Sequence, residues 1–371
     1  MAAVTAIRMP KWGLSMQEGT IVDWWRPEGA VVAEGEDLVD IETSKINNVC
    51  ESPAAGVLRR IVAQPGEALP VGALIGVLAD AEVGEETIDA FIAEFQSSFS
   101  PDAEDGEAGQ ALALSDVEVA GRVLRIGRTG AAAGAPVVLI HGFSGDMNNW
   151  LFAIDALAAK APVIAIDLLG HGGSSKDVGD GGLQTLADAV GGALQALGVN
   201  EAHLVGHSLG AAVALRLAAG RPGLARSLTL ICPPGLSATP VSETFLTGVV
   251  EAQRAKDLRP FIEMLVADPA LVTKDMVDSV LKAKRVDGVE EALARLRDRM
   301  IEGADLAGMR TDLDGVGAAL VIASRQDAIV GAPDEAALPA GVRLAWIEGV
   351  GHMPHLEAAG AVNALVLDVI G

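Results

Sequence analysis

The sequence contains no tyrosine, only two cysteines, and few aromatic residues of any kind, at 3% of its 371 positions. The cysteines, Cys50 and Cys232, lie far apart and outside any metal-ligand spacing. This excludes a disulfide framework and predicts buried or idle thiols, with no metal site. Half of the residues are nevertheless hydrophobic, so sizeable cores can form, and the length allows two or three domains.

Long apolar runs and basic runs are missing as well. No apolar run approaches the roughly 20 residues that span a bilayer, and the N-terminus lacks the continuous apolar core of a signal peptide. The formal net charge is −23, with 50 acidic against 27 basic residues, and no basic patch is present to attract nucleic acid or an anionic membrane. We therefore expect a cytoplasmic protein that binds neither nucleic acid nor membrane.

The first 79 residues contain an internal repeat. Gly29 and Gly35 recur at the same spacing as Gly66 and Gly72, and each pair precedes an apolar, strand-like run. A repeat of this length predicts two matching supersecondary units. Short alternating segments separated by proline and glycine turns predict β-strands. Residues 1–79 are therefore predicted to form a small all-β sandwich.

One lysine, Lys45, falls between the two halves of this repeat. It lies on a polar stretch bounded by strand-like residues 39–41 and Val49, which predicts a hairpin tip. There its amine is accessible to a modifying enzyme. A single exposed lysine is usually no more than a solvated side chain, but its position at the centre of the repeat favours a carrier role.

The same region resembles the lipoyl domain of 2-oxo acid dehydrogenase acyltransferases. The match runs through residues 9–16, Glu18-Gly19, 42–45 and 53–56. Biotinyl domains share this fold, but their lysine lies between two methionines, whereas Lys45 lies between Ser44 and Ile46. The resemblance implies lipoate covalently attached to Lys45 by a lipoylating enzyme.

Residues 80–121 contain no lysine or arginine. Within them, apolar residues at intervals of three and four predict one amphipathic helix over 86–99. The acidic run 100–109 that follows predicts a flexible, extended linker. Residues 80–113 are therefore assigned to a helix and linker. Many acyltransferases of dehydrogenase complexes carry a small basic subunit-binding domain at this place, and this sequence shows none.

From about residue 114 the pattern changes to apolar strands that alternate with longer helical segments, which predicts βαβ units and a mostly parallel sheet. The clearest strands are 137–140, 163–166, 202–205, 228–231 and 320–323. The third leads into Gly206-His207-Ser208-Leu209-Gly210 and then an alanine-rich helix. The glycines permit a tight strand-to-helix turn that presents Ser208 as a nucleophile, with the Leu209 amide facing developing negative charge.

The remaining groups of a serine site follow other strands. Phe143 comes directly after strand 137–140, where the second oxyanion amide belongs. His352, after strand-like 343–347, is the predicted general base. Asp327, past the strand that ends at 323, is the predicted acid that holds the imidazole in its productive tautomer.

Four other residues are weighed against these assignments. His355 is the rival base and Asp334 the weaker alternative acid. His141 and His171 lie in glycine-rich loops after strands and are predicted to shape those loops rather than to catalyse.

Residues 114–371 resemble the α/β-hydrolase family. The matching segments are 138–143, 167–174, 206–210, 324–327 and 351–352. Helical segments at 242–256, 260–267 and 289–301 interrupt the strand alternation between about 233 and 310. In this family such an insertion forms a helical cap over the cleft, so the resemblance implies a multidomain chain: an all-β lipoyl sandwich followed by an α/β-hydrolase fold with a cap.

The combination of the two domains resembles the dihydrolipoamide acetyltransferase component of acetoin-cleaving dehydrogenase complexes. The resemblance implies transfer of an acetyl group from the lipoyl arm to coenzyme A. It also implies two partners, a thiamine-diphosphate-dependent acetoin dehydrogenase and dihydrolipoamide dehydrogenase. The His-x-x-x-Asp-Gly motif of ordinary acyltransferase cores is absent, so the transfer must use other residues.

Two chemical routes and two other functions stay open at this point. Ser208 either forms an acetyl-serine that coenzyme A resolves, or serves as an oxyanion donor while His352 deprotonates the thiol for direct attack. The alternative function is a lipoyl-linked thioesterase or esterase that releases free acid. A non-catalytic docking module is disfavoured by the complete serine, histidine and acid pattern.

Assignment of Lys45 can be tested by intact mass. Protein from cells supplied with lipoic acid is expected to gain the mass of one lipoyl group, and Lys45→Arg should remove that increment because only the native amine can form the amide. Lys11→Arg in the same domain is the matched control and should keep it. An unmodified wild-type chain, or an increment that persists in Lys45→Arg, would contradict the assignment.

Overall fold

The computed structural model describes residues 4–10, 18–42, 47–99, 112–130, 133–316 and 319–371. The chain divides into two compact units, Met1–Gln110 and Ala111–Gly371. Among the described residues, no helix combines the length and apolar character needed to cross a bilayer.

The N-terminal unit is built from two four-stranded antiparallel sheets. Its described strands are Val4–Arg8 (β1), Glu18–Trp24 (β2), Val31–Val32 (β3), Asp37–Glu42 (β4), Asn47–Glu51 (β5), Gly56–Ile61 (β6), Ala68–Pro70 (β7) and Leu74–Ala79 (β8). The orders are β1-β8-β6-β3 in one sheet and β5-β4-β2-β7 in the other. Alternating apolar residues such as Ile21, Leu38 and Ile75 are fully buried, which confirms the predicted sandwich.

The repeat seen in the sequence corresponds to matching turns. Gly29, Gly35, Gly66 and Gly72 all have φ between 78° and 90°. Side chains with a Cβ rarely adopt this left-handed conformation, which explains why the same residue recurs at equivalent turns of the two halves.

Strands β4 and β5 pair with Glu42 opposite Asn47. Only residues 43–46 separate these two positions in the sequence, and they include Lys45. These four residues lie outside the part of the chain that the structure describes, so the predicted tip position of Lys45 stays a prediction. The flanking strands form the antiparallel hairpin on which that prediction rests.

A helix follows the sandwich at Glu85–Ser98 (α1), close to the predicted 86–99. It packs against β8: Ile88 is fully buried in a cluster with Leu74 and Val77, and Phe91, Ile92 and Phe95 pack around it. Ion pairs join the helix to β6, since Arg59 and Arg60 both contact Glu85, at 2.6 and 2.8 Å. The helix therefore belongs to the N-terminal unit. The predicted linker 100–109 lies outside the described residues.

The C-terminal unit contains one eight-stranded sheet. Its strands are Ala113–Val119 (β9), Arg122–Thr129 (β10), Val137–Ile140 (β11), Val163–Ile166 (β12), Ala202–His207 (β13), Ala225–Ile231 (β14), Ala319–Ala323 (β15) and Val342–Trp346 (β16). The order is β16-β15-β14-β13-β11-β12-β10-β9. Strands β11 to β16 run parallel, and the β9–β10 hairpin adds an antiparallel edge. The predicted parallel sheet is confirmed.

Helices cover this sheet and insert above it. They are Ile154–Ala158 (α2), Leu183–Ala196 (α3), Leu209–Gly220 (α4), Glu243–Glu251 (α5), Ala255–Glu263 (α6), Lys274–Lys284 (α7), Val289–Glu302 (α8), Ala304–Ala307 (α9), Met309–Val316 (α10), Pro354–Glu357 (α11) and Ala359–Ile370 (α12). Helices α5 to α10 separate β14 from β15. Helices α5 to α9 lie in the stretch of about 233–310 that the sequence predicted as a cap, whereas α10 continues beyond it and packs against α4. That these helices cover the cleft stays a prediction.

The predicted helix boundaries inside the cap are partly wrong. The segment 242–256 is two helices, because Ala252 and Arg254 have extended backbones that end α5 and precede α6. The predicted helix 260–267 is displaced, since α6 occupies 255–263. Helix α7 was not predicted. The break at 252 is held by the buried Lys284, whose ammonium donates to the Ala252 carbonyl at 2.5 Å.

The docking of α1 on β8 can be tested by removing its buried anchor. Ile88→Ala should destabilise the N-terminal unit by about 3 kcal/mol, because it leaves a cavity in a closed cluster. Amide hydrogen exchange of the full chain should rise in α1 and β8 and stay unchanged in β11 to β16. The exposed Glu86→Ala is the control. Unchanged protection of β8 in Ile88→Ala would contradict the docking.

Candidate active site

Ser208 lies at a sharp turn between β13 and α4. Its φ of 52° and ψ of −119° are unusual for a residue with a side chain and cost on the order of 1–3 kcal/mol. The flanking glycines explain how the turn closes. A Cβ on Gly206 would lie 2.3 Å from the Gly210 carbonyl oxygen, and one on Gly210 would lie 2.1 Å from the Ile140 carbonyl oxygen. Only glycine fits at either position, which leaves the turn rigid under Ser208.

Two backbone amides border this turn. Leu209 is the first residue of α4, so its amide has no acceptor inside the helix. Phe143 follows β11, and its amide donates to no other group within the described part of the chain. Gly142, the neighbour of Phe143, approaches so closely that a Cβ there would lie 3.2 Å from the Ser208 Cβ. Both predicted oxyanion residues therefore lie at or next to the serine turn, and their role as donors stays a prediction.

The predicted base and acid are in direct contact. His352 Nδ1 donates to Asp327 Oδ2 at 2.8 Å, and both side chains are almost fully buried, at 2% and 1% exposed. Asp327 Oδ1 accepts from the amides of Ile329 and Val330. Burial raises the pKa of Asp327, but the charge of His352 and these hydrogen bonds outweigh it and hold the pKa below its usual value. Asp327 is thus an ionised carboxylate that fixes the histidine tautomer.

The backbone of His352 is held from two sides. Its amide donates to the carbonyl of Leu265 in the cap at 2.8 Å. Its carbonyl accepts from Nε2 of His207 at 2.8 Å, and the His207 and His352 rings lie 4.8 Å apart. His207 immediately precedes Ser208, so it joins the serine turn to the histidine loop. A direct Ser208–His352 hydrogen bond is not among the contacts of the described residues.

The two weaker candidates are placed elsewhere. The His355 ring lies between Trp150 and His207, with centroids at 4.9 and 4.4 Å. Neither of its nitrogens has a hydrogen-bond partner within the residues described. Asp334 is exposed at the start of a short 3-10 helix, Glu335–Ala337. The geometry supports the pairing of His352 with Asp327 over either alternative.

His141 and His171 make the contacts expected of loop-shaping residues. Nδ1 of His141 donates to the Gly142 carbonyl, while Nε2 accepts from the Leu168 amide. Likewise Nδ1 of His171 donates to the Leu169 carbonyl, and Nε2 accepts from the Ser144 amide. Both nitrogens of each ring are used in these hydrogen bonds, which leaves neither ring a free site for proton transfer.

Cys232 lies beside the catalytic acid, at the end of β14. Its Sγ, a carboxylate oxygen of Asp327 and a ring nitrogen of His352 all lie within 4.8 Å of one another. Burial, followed by the charge of Asp327, raises the pKa of Cys232 well above its usual value. The thiol therefore stays protonated. Metals bind the thiolate, so the cluster fits a hydrogen-bonded support for Asp327 better than a metal site.

Sequence reasoning missed two residues that organise the site. His207 is the variable position of the serine motif, and its bond to His352 joins segments 145 positions apart. Glu357, whose carboxylate accepts from the amides of Gly351 and Ala267, was not singled out either. The sequence offered two signals: a polar residue next to the predicted nucleophile, and a single acidic residue shortly after the predicted base.

Comparison with known families agrees with this architecture. Residues 137–365 match the model of the alpha/beta hydrolase family, and residues 5–78 match the biotin and lipoyl domain model described as biotin-requiring enzyme. The molecule is thus an α/β-hydrolase-family domain joined to a carrier domain of the biotin and lipoyl type.

Two relatives cover nearly the whole chain. The dihydrolipoyllysine-residue acetyltransferase component of the acetoin cleaving system of Pseudomonas putida is 42% identical over 368 residues, 99% of this chain and 98% of that protein. The component of the same name from Cupriavidus necator is 40% identical over 371 residues, with 99% and 98% covered. This chain belongs to that family.

Solved structures resemble the C-terminal unit. A meta-cleavage product hydrolase from Pseudomonas fluorescens aligns with a TM-score of 0.63 and 22% identity, covering 70% of this chain and 97% of its own. A 2-hydroxy-6-oxo-6-phenylhexa-2,4-dienoate hydrolase from Rhodococcus gives the same TM-score and identity over 70% and 99%. At this identity the likeness shows the fold alone.

Buried histidines should make the protein sensitive to acid. Burial, reinforced by a neighbouring histidine in each case, lowers the pKa of both His171 and His355 to about 3, and lowers that of His207 well below its usual value. The unfolded chain binds protons at these rings below about pH 6.5, and the folded chain does not. Stability is therefore complete above this pH and should fall toward pH 3, by up to about 1.4 kcal/mol per pH unit for each ring.

His355→Phe should weaken this dependence, because it removes one buried basic ring that has no hydrogen bond. Urea unfolding between about pH 8 and pH 5 measures the slope. A variant with the wild-type slope would contradict the burial of a neutral His355.

Proposed function

We propose that this chain is the dihydrolipoyllysine-residue acetyltransferase of an acetoin-cleaving system and works through Ser208, His352 and Asp327. The observation that carries the proposal is the buried His352–Asp327 pair, joined through His207 to the Ser208 turn, in a chain whose other unit is a lipoyl-type carrier. Family membership supplies the reaction class. The geometry supports the choice of residues.

Lipoate fits the carrier unit because β4 and β5 bring the chain to both ends of segment 43–46, where Lys45 is the only lysine. When bound, the group supplies a thiol that carries the acetyl group as a thioester. The remaining chemistry belongs to the side chains of the C-terminal unit.

In the first step Ser208 Oγ attacks the carbonyl carbon of the substrate thioester. His352 Nε2 takes the hydroxyl proton, while the carboxylate of Asp327 holds Nδ1–H and stabilises the imidazolium. The amides of Phe143 and Leu209 donate to the oxyanion of the tetrahedral intermediate. The carbon–sulfur bond then breaks, the proton passes from His352 to the leaving thiolate, and Ser208 carries the acetyl group as an ester.

In the second step coenzyme A takes the acetyl group. His352 removes the proton of its thiol, the sulfur attacks the acetyl ester, and the proton returns to Ser208 Oγ as acetyl-coenzyme A leaves. In the variant route, Ser208 only donates to the oxyanion, and His352 deprotonates the coenzyme A thiol for direct attack on the first thioester. Both routes give the same products and differ in whether Ser208 becomes acetylated.

The identities of the partner enzymes are also part of the proposal. Family membership makes the chain a component of a multienzyme system. We infer that a thiamine-diphosphate-dependent acetoin dehydrogenase loads the acetyl group, that dihydrolipoamide dehydrogenase reoxidises the carrier, and that a lipoylating enzyme modifies Lys45.

Product analysis separates transfer from hydrolysis. A thioesterase would use the same residues with water as the acceptor. Supplied with acetyl-dihydrolipoamide and coenzyme A, the wild-type chain is expected to make acetyl-coenzyme A. Free acetate as the sole product would overturn the proposed function.

Removal of the nucleophile tests the site. Ser208→Ala and His352→Ala should each lower the transfer rate by about 10⁴-fold or more, with little further loss in the double variant, because the two residues act as one unit. Ser115→Ala on β9 is the control and should retain wild-type activity. A Ser208→Ala rate within tenfold of wild type would contradict a nucleophilic serine, because loss of a nucleophile costs far more than tenfold.

Mass spectrometry distinguishes the two routes. Rapid quench of the wild-type chain with acetyl-dihydrolipoamide, in the absence of coenzyme A, should trap an acetyl group on the peptide that contains Ser208. Its absence would leave the direct route.

A further inference from the structure

The cap and the catalytic histidine loop meet along one seam, formed by residues 265–267 of the cap and residues 351–352 of the loop. A Cβ on Gly351 would lie 2.6 Å from the backbone carbon of Val266, so the two backbones are in direct contact. The amide of His352 donates to the carbonyl of Leu265 across the same seam. Segments more than 80 positions apart thus touch beside the catalytic base.

One carboxylate bridges both sides of this seam. Glu357 ends α11, and its Oε1 accepts from the amide of Gly351 at 2.8 Å while its Oε2 accepts from the amide of Ala267 at 2.7 Å. No arginine or lysine pairs with it among the described residues. Its hydrogen-bonding capacity is directed to two backbone amides, one on the cap and one on the loop.

The surroundings of the Glu357 carboxylate disfavour its charged form. Burial raises the pKa of Glu357, although the amides of Ala267, Gly351 and Met353 and the charge of His352 act in the opposite direction. A carboxylate that is partly buried without a cationic partner is costly, and its value to the fold lies in the amides that it satisfies. The amides of Ala267 and Gly351 both belong to the seam.

We propose that Glu357 is the latch that holds the cap against the catalytic loop and so directs the acetyl group to the coenzyme A thiol rather than to water. This inference rests on the proposed function. Glu357 is a positioning residue, because it contacts backbone amides and no reacting atom.

The choice that the latch controls can be written as two competing reactions of acetyl-Ser208. Attack by the thiol of coenzyme A gives acetyl-coenzyme A and free Ser208. Attack by water gives acetate and free Ser208, with the second proton released to solvent. His352 serves as the base in both, so the base cannot discriminate between them. Discrimination must come from water access, and a seam that opens next to His352 admits water at the critical place.

The experiment measures the ratio of acetate to acetyl-coenzyme A, with the full lipoylated chain, acetyl-dihydrolipoamide and a fixed concentration of coenzyme A. Glu357→Ala removes both acceptors and should raise the ratio about tenfold, as expected for two amides left without partners. Glu357→Gln keeps one acceptor oxygen and should give an intermediate ratio. A purely structural role would lower both products in the same proportion, because the ratio is independent of the fraction of folded enzyme.

Glu348→Ala is the matched control. Glu348 precedes the same loop and makes a surface ion pair with Arg325 at 3.5 Å, so the variant loses the same charge without touching the seam. It should keep the wild-type ratio. Hydrogen exchange provides a second measurement: the amides of Ala267 and Gly351 should both lose protection in Glu357→Ala, one of the two should lose it in Glu357→Gln, and both should keep it in Glu348→Ala.

The outcomes separate the two hypotheses. If the wild-type chain makes acetyl-coenzyme A and both Glu357 variants keep its product ratio, the latch is overturned and the proposed function stands. If the wild-type chain makes acetate alone, the proposed function is overturned and the latch falls with it. A raised ratio in the Glu357 variants with an unchanged ratio in Glu348→Ala supports the latch.

Discussion

The hydrogen bond between His352 and Asp327 is the interaction on which the catalytic unit depends. It forms where almost no solvent reaches either side chain, so Asp327 without its histidine partner would be a buried, unpaired charge. Loss of the hydrogen bond would therefore cost several kcal/mol, on the order of 3–5. The surroundings are arranged to prevent this. Two amides hold the far oxygen of Asp327, and His352 is fixed by its own amide and carbonyl as well as by its ring. The base is therefore positioned by the main chain before any substrate arrives.

The exclusion of solvent also explains why the other histidines around the turn are neutral. The rings of His207 and His355 pack against one another in the interior at a tilt of 47°, where a second positive charge near the imidazolium of the proposed reaction would be unfavourable. Rings that stay neutral supply shape and single hydrogen bonds without competing for the proton that His352 must carry. His352 thus lies beside histidines whose pKa is lowered by burial and which stay neutral.

Local motifs were enough to predict the sheet and the residues that the structure brings together at the candidate site. Ser208 lies between two glycines whose spacing indicates a sharp turn. His352 and Asp327 follow strands that are recognisable in the sequence as apolar runs. The contacts that join these residues could not be predicted, because His207, Leu265 and Glu357 act across large sequence separations that depend on how the cap returns to the sheet. Helix α7 was not predicted, and α5 and the start of α6 were predicted as one helix, because amphipathic periodicity alone does not show where the backbone turns. For α1 the apolar face was predicted, but periodicity does not identify the surface that a face covers.

The position of α1 also defines what the carrier is as a physical object. Strand β8 has every residue buried, partly by the sandwich and partly by the phenylalanines and isoleucines of the helix. A fragment cut after residue 79 would keep all the strands yet present a bare apolar sheet face to solvent, the kind of surface that drives self-association. The smallest fragment with a fully covered sheet extends through the end of the helix, so the natural boundary of the carrier unit comes some twenty residues after its last strand, as the order of β8 and α1 along the chain dictates.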